Sequence, residues 1–249
     1  MNQSGITLDH VSFRYSDGRE ALTNLSLTIP KGTFLGITGT NGSGKSTFIQ
    51  LLNGLIPQTI EGDMSGTVTI DGVSTKNKNV RFFSDKVGIV FQNPDFSLFN
   101  LTVREEITWG LKTLHKPFNV SLIRSVLQSV GLIGFEQRDP QSLSMGEKQK
   151  VALASILAPD PDYLILDEPT AMLDFRSSKN LYEILKKLNK DGKTIITIEH
   201  DTDFLWRYTD KTLILSDGRL IDYDATQRVF ARTKILSELG IKIPNRKAV

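Results

Sequence analysis

Eight consecutive residues carry the clearest chemistry in the chain: Gly39-Thr40-Asn41-Gly42-Ser43-Gly44-Lys45-Ser46. They satisfy the pattern G-x-x-x-x-G-K-[ST] at every fixed position. Glycine permits the turns that point successive backbone N–H groups inward around phosphate oxygens. A helix beginning near Lys45 would bring its positive end to the same point. Lys45 would neutralise β- and γ-phosphates, and Ser46 would ligate Mg²⁺. A second constellation closes an apolar run, Tyr163-Leu164-Ile165-Leu166-Asp167-Glu168. Acids at the C-terminal edge of a parallel strand sit where α/β sheets bind ligands. Asp167 would hold the Mg²⁺, mostly through water. Glu168 would polarise an attacking water, a general-base role worth about 10²–10⁴-fold. His200 follows the run Thr194 to Ile198. From that edge it could contact a γ-phosphate and orient the water.

These groups need a scaffold that brings several strand ends together. Phe34 to Thr38 is a short apolar run that stops at Gly39, and helical periodicity follows in Phe48, Ile49, Leu51 and Leu52. Strand, glycine-rich loop and helix make the βα unit of a parallel sheet. Val87 to Phe91, Tyr163 to Leu166 and Thr194 to Ile198 fit strands buried on both faces. The N-terminal part reads differently. Ile6 to Phe13 and Leu22 to Ile29 alternate, and Thr67 to Ile70 runs into Asp71-Gly72, a hairpin signal. These pieces predict an antiparallel β layer. Between Asn93 and Ala158 the helical period dominates, with helices expected over Val103 to Leu114, Leu122 to Val130 and Met145 to Leu157. Another helix is expected from Ser177 to Leu188. The tail from Thr226 begins helical, and Pro244 to Val249 is expected to fray.

Composition narrows the partners. The 249 residues are 39% hydrophobic and 23% charged, which fits one large folded domain rather than a disordered chain. With 30 basic and 28 acidic residues, the near-neutral balance argues against nucleic acid as a partner. The chain has no cysteine, which excludes disulfides, thiolate metal sites and a cysteine nucleophile. The start, MNQSGIT, lacks the charged-then-apolar pattern of a secretory signal, and no apolar run approaches membrane-spanning length. A GTPase should show Asn-Lys-x-Asp. The nearest match, Asn77-Lys78-Asn79-Val80, lacks the aspartate.

Leu143-Ser144-Met145-Gly146-Glu147 lies ahead of the acidic strand, with Asp167 23 positions after Ser144. It resembles the LSGGQ signature of ATP-binding cassette (ABC) ATPases. The resemblance runs from about Thr7 to Gly218 and orders the rest. It implies an α/β P-loop NTPase fold with a RecA-like parallel-sheet core, an N-terminal antiparallel β layer and a helical subdomain at about 93–158. Residues 1–249 would form a single domain with a short extension at about 226–249. Tyr15 would stack on adenine and Gln92 would be the Q-loop glutamine, a further Mg²⁺ ligand. Asp174 in Ala171-Met172-Leu173-Asp174 would be the D-loop aspartate, and His200 the switch histidine. Thr47 would join the loop residues on the nucleotide. The cofactors implied are ATP and Mg²⁺. Two cassettes would pair head to tail, more as a homodimer than a heterodimer, so that Ser144 and Gly146 of one chain bind the γ-phosphate held by the other. The sequence departs from the pattern at Met145 for glycine, Glu147 for glutamine and Ala171 for serine. A methionine there needs backbone angles open to non-glycine residues.

Gln92-Asn93-Pro94-Asp95-Phe96-Ser97-Leu98-Phe99, then Thr102-Val103-Arg104-Glu105-Glu106, is similar to a segment of energy-coupling factor (ECF) importers of vitamins, cobalt and nickel. The resemblance implies a peripheral subunit on the cytoplasmic face of the cell membrane. Its partners would be an integral membrane coupling subunit and a substrate-binding membrane subunit, with Phe96, Leu98 and Phe99 as exposed anchors for coupling helices. A conventional ABC permease or exporter, and a soluble ABC ATPase outside transport, remain the alternatives.

Overall fold

A computed structural model describes residues 5–245. The chain opens with strands β1 (Gly5–Tyr15), β2 (Glu20–Pro30) and β3 (Phe34–Gly39), then helices α1 (Lys45–Leu52) and α2 (Leu55–Gln58). Strands β4 (Gly62–Ile70) and β5 (Val73–Ser74), helix α3 (Val80–Ser84) and strand β6 (Val87–Val90) follow. Three longer helices come next: α4 (Val103–Thr113), α5 (Val120–Ser129) and α6 (Met145–Leu157). Strand β7 (Tyr163–Asp167), helix α7 (Phe175–Lys190), strand β8 (Thr194–Ile198) and helix α8 (Thr202–Tyr208) complete the core alternation. Strands β9 (Lys211–Ser216) and β10 (Arg219–Ala225) and helices α9 (Thr226–Val229) and α10 (Thr233–Glu238) end the chain.

Two sheets result. One is antiparallel, in the order β2-β1-β4-β5; the other runs β10-β9-β3-β8-β7-β6. In the second sheet β3, β6, β7, β8 and β9 are parallel, and β10 is antiparallel to β9. The parallel strands are apolar runs because both of their faces are covered. β8 is buried along its whole length. Strand β1 alternates instead, burying Ile6, Leu8, Val11 and Phe13 in a core shared with Phe48, Leu51 and Leu52 of α1 and Ile37 and Ile165 of the parallel sheet. A second core lies beneath α4, α5 and α6, where Ile107, Leu111, Leu127 and Leu153 meet Leu164 and Leu166.

Local signals set the element ends. Asp71 and Gly72 both take positive φ, 49° and 76°, which is the turn geometry a two-residue Asp-Gly hairpin requires. Capping boxes start α4 at Thr102 with Glu105 and α6 at Ser144 with Glu147. The expected helices are present within a few residues. The β9–β10 hairpin is an addition to the sequence reading. Its turn, Asp217-Gly218, repeats the Asp-Gly signal with φ 48° and 71°.

Two expectations change. Leu98 is only 2% exposed and belongs to the core under the helical insertion, so it is not an exposed anchor. The three-residue helical turn Pro94–Phe96 rotates the chain so that Phe96 and Phe99 face outward, at 77% and 79% exposure, while Leu98 faces in. At the C-terminus Pro244 is buried and the Asn245 N–H donates to Asp203 Oδ1, so these two residues are held rather than frayed. The rest of that expectation, residues 246–249, lies outside the described residues.

The fit between β6 and α6 is tight at Gly88, where an added Cβ would lie 2.2 Å from Ile156 Cγ2. Gly88→Ala should therefore destabilise the chain by about 1–3 kcal/mol through overpacking. Urea unfolding checks this, and an unchanged midpoint would contradict the packing described.

Candidate active site

The glycine-rich loop has the shape of a cradle. Gly39, Gly42 and Gly44 take φ of 153°, 75° and 98°, which side-chain-bearing residues rarely adopt. A Cβ on Gly39 would lie 1.9 Å from the Leu215 carbonyl, and one on Gly44 would lie 2.6 Å from that of Ala21. The β9–β10 turn supports the loop from behind, through Gly218 N–H donating to Ser43 O at 3.2 Å. Lys45 begins α1, is 8% exposed, and donates back to the carbonyls of Gly39 at 3.1 Å and Thr40 at 2.9 Å. Burial lowers its pKa, while Glu168 and Asp167 oppose that. The Ser43 hydroxyl is buried with no hydrogen-bond partner among the described residues, and a phosphate oxygen could accept from it.

The acids lie at the ends of adjacent strands. Asp167 closes β7 opposite Ile198 of β8. Burial, and then the neighbouring Glu168, push its carboxyl upward, with Lys45 and His200 opposing. A buried carboxylate beside another acid is relieved by a cation. Among the described residues no group of three His, Cys, Asp or Glu could enclose a metal ion. One carboxylate with the Ser46 hydroxyl and nucleotide oxygens is instead the hard-oxygen set that suits Mg²⁺. Glu168 has a positive φ of 46°, unusual for a side-chain-bearing residue, and its N–H donates to Ile198 O at 3.0 Å. Its carboxylate accepts from Gln92 Nε2 at 3.1 Å and lies 3.0 Å from His200 Nε2. The ends of β6, β7 and β8 thus meet on one carboxylate.

Other residues named from the sequence form separate groups. Tyr15 lies beside the loop helix, its hydroxyl bonded to Thr47 Oγ1 at 2.8 Å and Gln50 Oε1 at 3.0 Å. One ring face carries the Arg19 guanidinium at 4.5 Å. Ser144 caps α6, and its N–H and hydroxyl both donate to Glu147, at 2.9 and 2.7 Å. Met145 is the first helical residue, so it needs no glycine-only conformation. Gly146 packs on Ser177, where a Cβ would lie 2.9 Å from the hydroxyl. Asp174 caps α7 by accepting from Ser177 N–H and Oγ, at 2.8 and 3.0 Å, and these bonds lower its pKa. Thr40 and Asn41 sit in the loop, where the Thr40 carbonyl accepts from Lys45 Nζ.

Sequence reasoning missed Arg19, Gly218 and Glu199. Gly218 had a signal in Asp217-Gly218. Glu199 had the same strand-end position as the Asp167-Glu168 pair, directly after Thr194–Ile198, but was not singled out. It is 3% exposed and accepts from the buried Thr170 hydroxyl at 2.8 Å.

Residues 22–171 match the ABC transporter family model. A protein of Pyrococcus horikoshii named as an ABC transporter ATP-binding protein is 44% identical over 97% of this chain and 86% of its own length. The energy-coupling factor transporter ATP-binding protein EcfA1 of Lactobacillus gasseri is 37% identical over 98% of this chain and 86% of its own length. The solved dimer of the ATP-binding cassette MJ0796, in a post-hydrolysis state with ADP and Pi, has a TM-score of 0.77 and 30% identity, covering 89% of this chain and 98% of that one. This chain belongs to the ABC transporter family. It is an ATP-binding and ATP-hydrolysing subunit that uses ATP with Mg²⁺, and its fold is the RecA-like α/β architecture with an N-terminal antiparallel sheet and a helical subdomain.

Burial pushes Glu199 up to about 7, above the ordinary 4.5 of a glutamate. The folded chain therefore holds a proton that the unfolded chain releases, and stability falls as pH rises from about 4.5 to 7. Glu199→Gln should remove that slope and stabilise the chain by about 1–3 kcal/mol at pH 8. Denaturant titrations at pH 5 and pH 8 measure it; equal pH dependence in both proteins would contradict the burial argument.

Proposed function

We propose that this chain is the ATPase subunit of an ECF-type importer for a vitamin or a transition-metal ion, placed at the cytoplasmic face of the membrane. The observation that carries this reading is the outward display of Phe96 and Phe99 directly after Gln92. Together with Phe91 and Trp109, which are 53% and 62% exposed, they line an apolar groove between the parallel sheet and the helical insertion. Four large apolar side chains facing water in one groove fit the helix of a partner. Among the described residues no helix is long and apolar enough to cross a membrane. A separate membrane protein would therefore supply the transport path. The likeness to an energy-coupling factor ATP-binding protein supports the same choice.

The residues divide the chemistry. The loop residues Gly39 to Ser46, with Thr47, would hold the phosphates, Lys45 adding charge to the β- and γ-groups. Ser46, Asp167 and Gln92 would hold Mg²⁺, which supplies charge neutralisation on the phosphates when bound. Glu168 would take a proton from water as the water oxygen bonds the γ-phosphorus and the bond to ADP breaks. His200 and Gln92 would fix the carboxylate and the water. A second copy of this chain would place Ser144 and Gly146 over the γ-phosphate. Ser144 and Asp174 lie exposed, as do Met172 and Phe175 at 47% and 58%, consistent with a face that another copy covers. The dimer of the related cassette supports this pairing.

Affinity purification of the tagged chain from mild-detergent extracts of its native host's membranes tests the reading. Mass spectrometry should identify a membrane coupling protein and a small substrate-binding membrane protein. Phe99→Asp should lose both while still binding ATP. Recovery of soluble partners alone would remove the protein from transport, and recovery of a conventional permease would replace the ECF assignment. Separately, Tyr15→Ala should weaken ATP binding about tenfold, the scale of base stacking on an aromatic ring, whereas Tyr15→Phe should not. Equal dissociation constants by calorimetry for wild type and Tyr15→Ala would refute adenine stacking.

A further inference from the structure

We propose that Lys242, on the segment after α10, is a positioning residue for His200, tying the C-terminal segment to the three residues that follow the histidine. Lys242 Nζ lies 2.9 Å from Asp201 Oδ1 and 2.6 Å from Asp203 Oδ2. Its main-chain carbonyl accepts from the Thr202 hydroxyl at 2.9 Å, and Thr202 is fully buried. The Asn245 N–H donates to the other Asp203 oxygen at 2.6 Å. Residues 201, 202 and 203 are thus each bonded to the stretch 242–245.

The contact is placed where it matters. Asp201 is the N-cap of α8 and adjoins His200, whose Nε2 lies 3.0 Å from Glu168 Oε1. The far end of the strap is fixed as well. Leu236 of α10 packs with Leu205 of α8 and with Phe230, and Leu239 and Ile241 lean on the same cluster. The Ile241 N–H bonds to Leu236 O at 2.8 Å, which turns the chain back toward α8. An exposed lysine–carboxylate pair alone does little. Here the Asp203 side chain is 12% exposed and takes two donors from the strap, beside the bond from the buried Thr202 residue. Catalytic groups lose efficiency with displacements on the order of 1 Å, so a segment that fixes the start of α8 bears on the histidine. The inference rests on the reading that His200 acts at the Glu168 carboxylate.

The chain contains three histidines, His10, His115 and His200, so a ring Cε1–H resonance can be followed for each. His200 is assigned by the signal lost in His200→Ala. In full-length Lys242→Met the His200 resonance should move while those of His10 and His115 stay. Its kcat should fall about threefold to tenfold with ATP affinity unchanged, and Lys242→Arg should restore both. Should Lys242→Met fail to fold, Asp203→Asn is read in the same way. An unmoved His200 resonance would overturn the proposal, as would a lowered melting temperature with unchanged kcat. If the wild-type chain hydrolysed no ATP, the functional reading would fail, while the resonance comparison would still decide the positioning.

Discussion

The Glu168 carboxylate, held between Gln92 and His200, is the point on which the rest of the structure converges. Its backbone takes φ 46°, a conformation that costs on the order of 1–3 kcal/mol and persists only when its surroundings over-determine it. They do so through the parallel register. Val90 of β6 pairs with Leu166 of β7, and Asp167 pairs with Ile198 of β8. A slip of one residue in either ladder would turn these side chains to the opposite face. Because these runs are apolar on both faces, their register is set by how side-chain volumes fit the two cores rather than by polarity. Packing of the two cores and placement of Gln92, Glu168 and His200 are therefore one constraint.

The helical insertion is attached to the same strand ends. Lys148, in the first turns of α6, reaches Asp95 at 2.6 Å, and Gln149 Nε2 donates to Phe91 O at 3.3 Å. Gln141 Nε2 holds the Leu98 carbonyl at 3.0 Å. Glu106, 4% exposed, accepts from the N–H groups of Phe99 and Asn100 at 3.0 and 2.9 Å. The segment displaying Phe96 and Phe99 is thereby pinned on both sides. Its neighbours are the helix that begins at Ser144 and the strand that ends near Gln92. An occupant of the groove would press on a segment already bonded to both.

Much of this was legible in the sequence, for identifiable reasons. The glycine-rich loop was readable because its chemistry restricts residue types at four fixed positions within eight, Gly39, Gly44, Lys45 and Ser46. The four core strands Phe34–Gly39, Val87–Val90, Tyr163–Asp167 and Thr194–Ile198 were readable because burial on both faces leaves continuous apolar runs. The hairpin at Asp71-Gly72 was identified, but its counterpart at Asp217-Gly218 was passed over. β9 offers only Leu213-Ile214-Leu215 as an apolar run, and β10 mixes Arg219, Asp222 and Asp224 with Leu220, Ile221 and Tyr223 without a clean alternation. Leu98 was misread because a three-residue helical turn sets which of three neighbouring apolar residues faces in. The bonds of Glu199 and Lys242 were illegible, since their partners Thr170 and Asp203 are distant in sequence and only the fold brings them together.

If the ends of three strands poise Glu168 to activate water, turnover depends on its carboxylate. Steady-state ATP hydrolysis by Glu168→Gln, with Mg²⁺-ATP binding measured alongside, tests it most directly. Turnover should fall by at least about 10²-fold while the nucleotide still binds, since the amide keeps the shape and loses the base. Hydrolysis at the wild-type rate would contradict the account and require another group to take the proton.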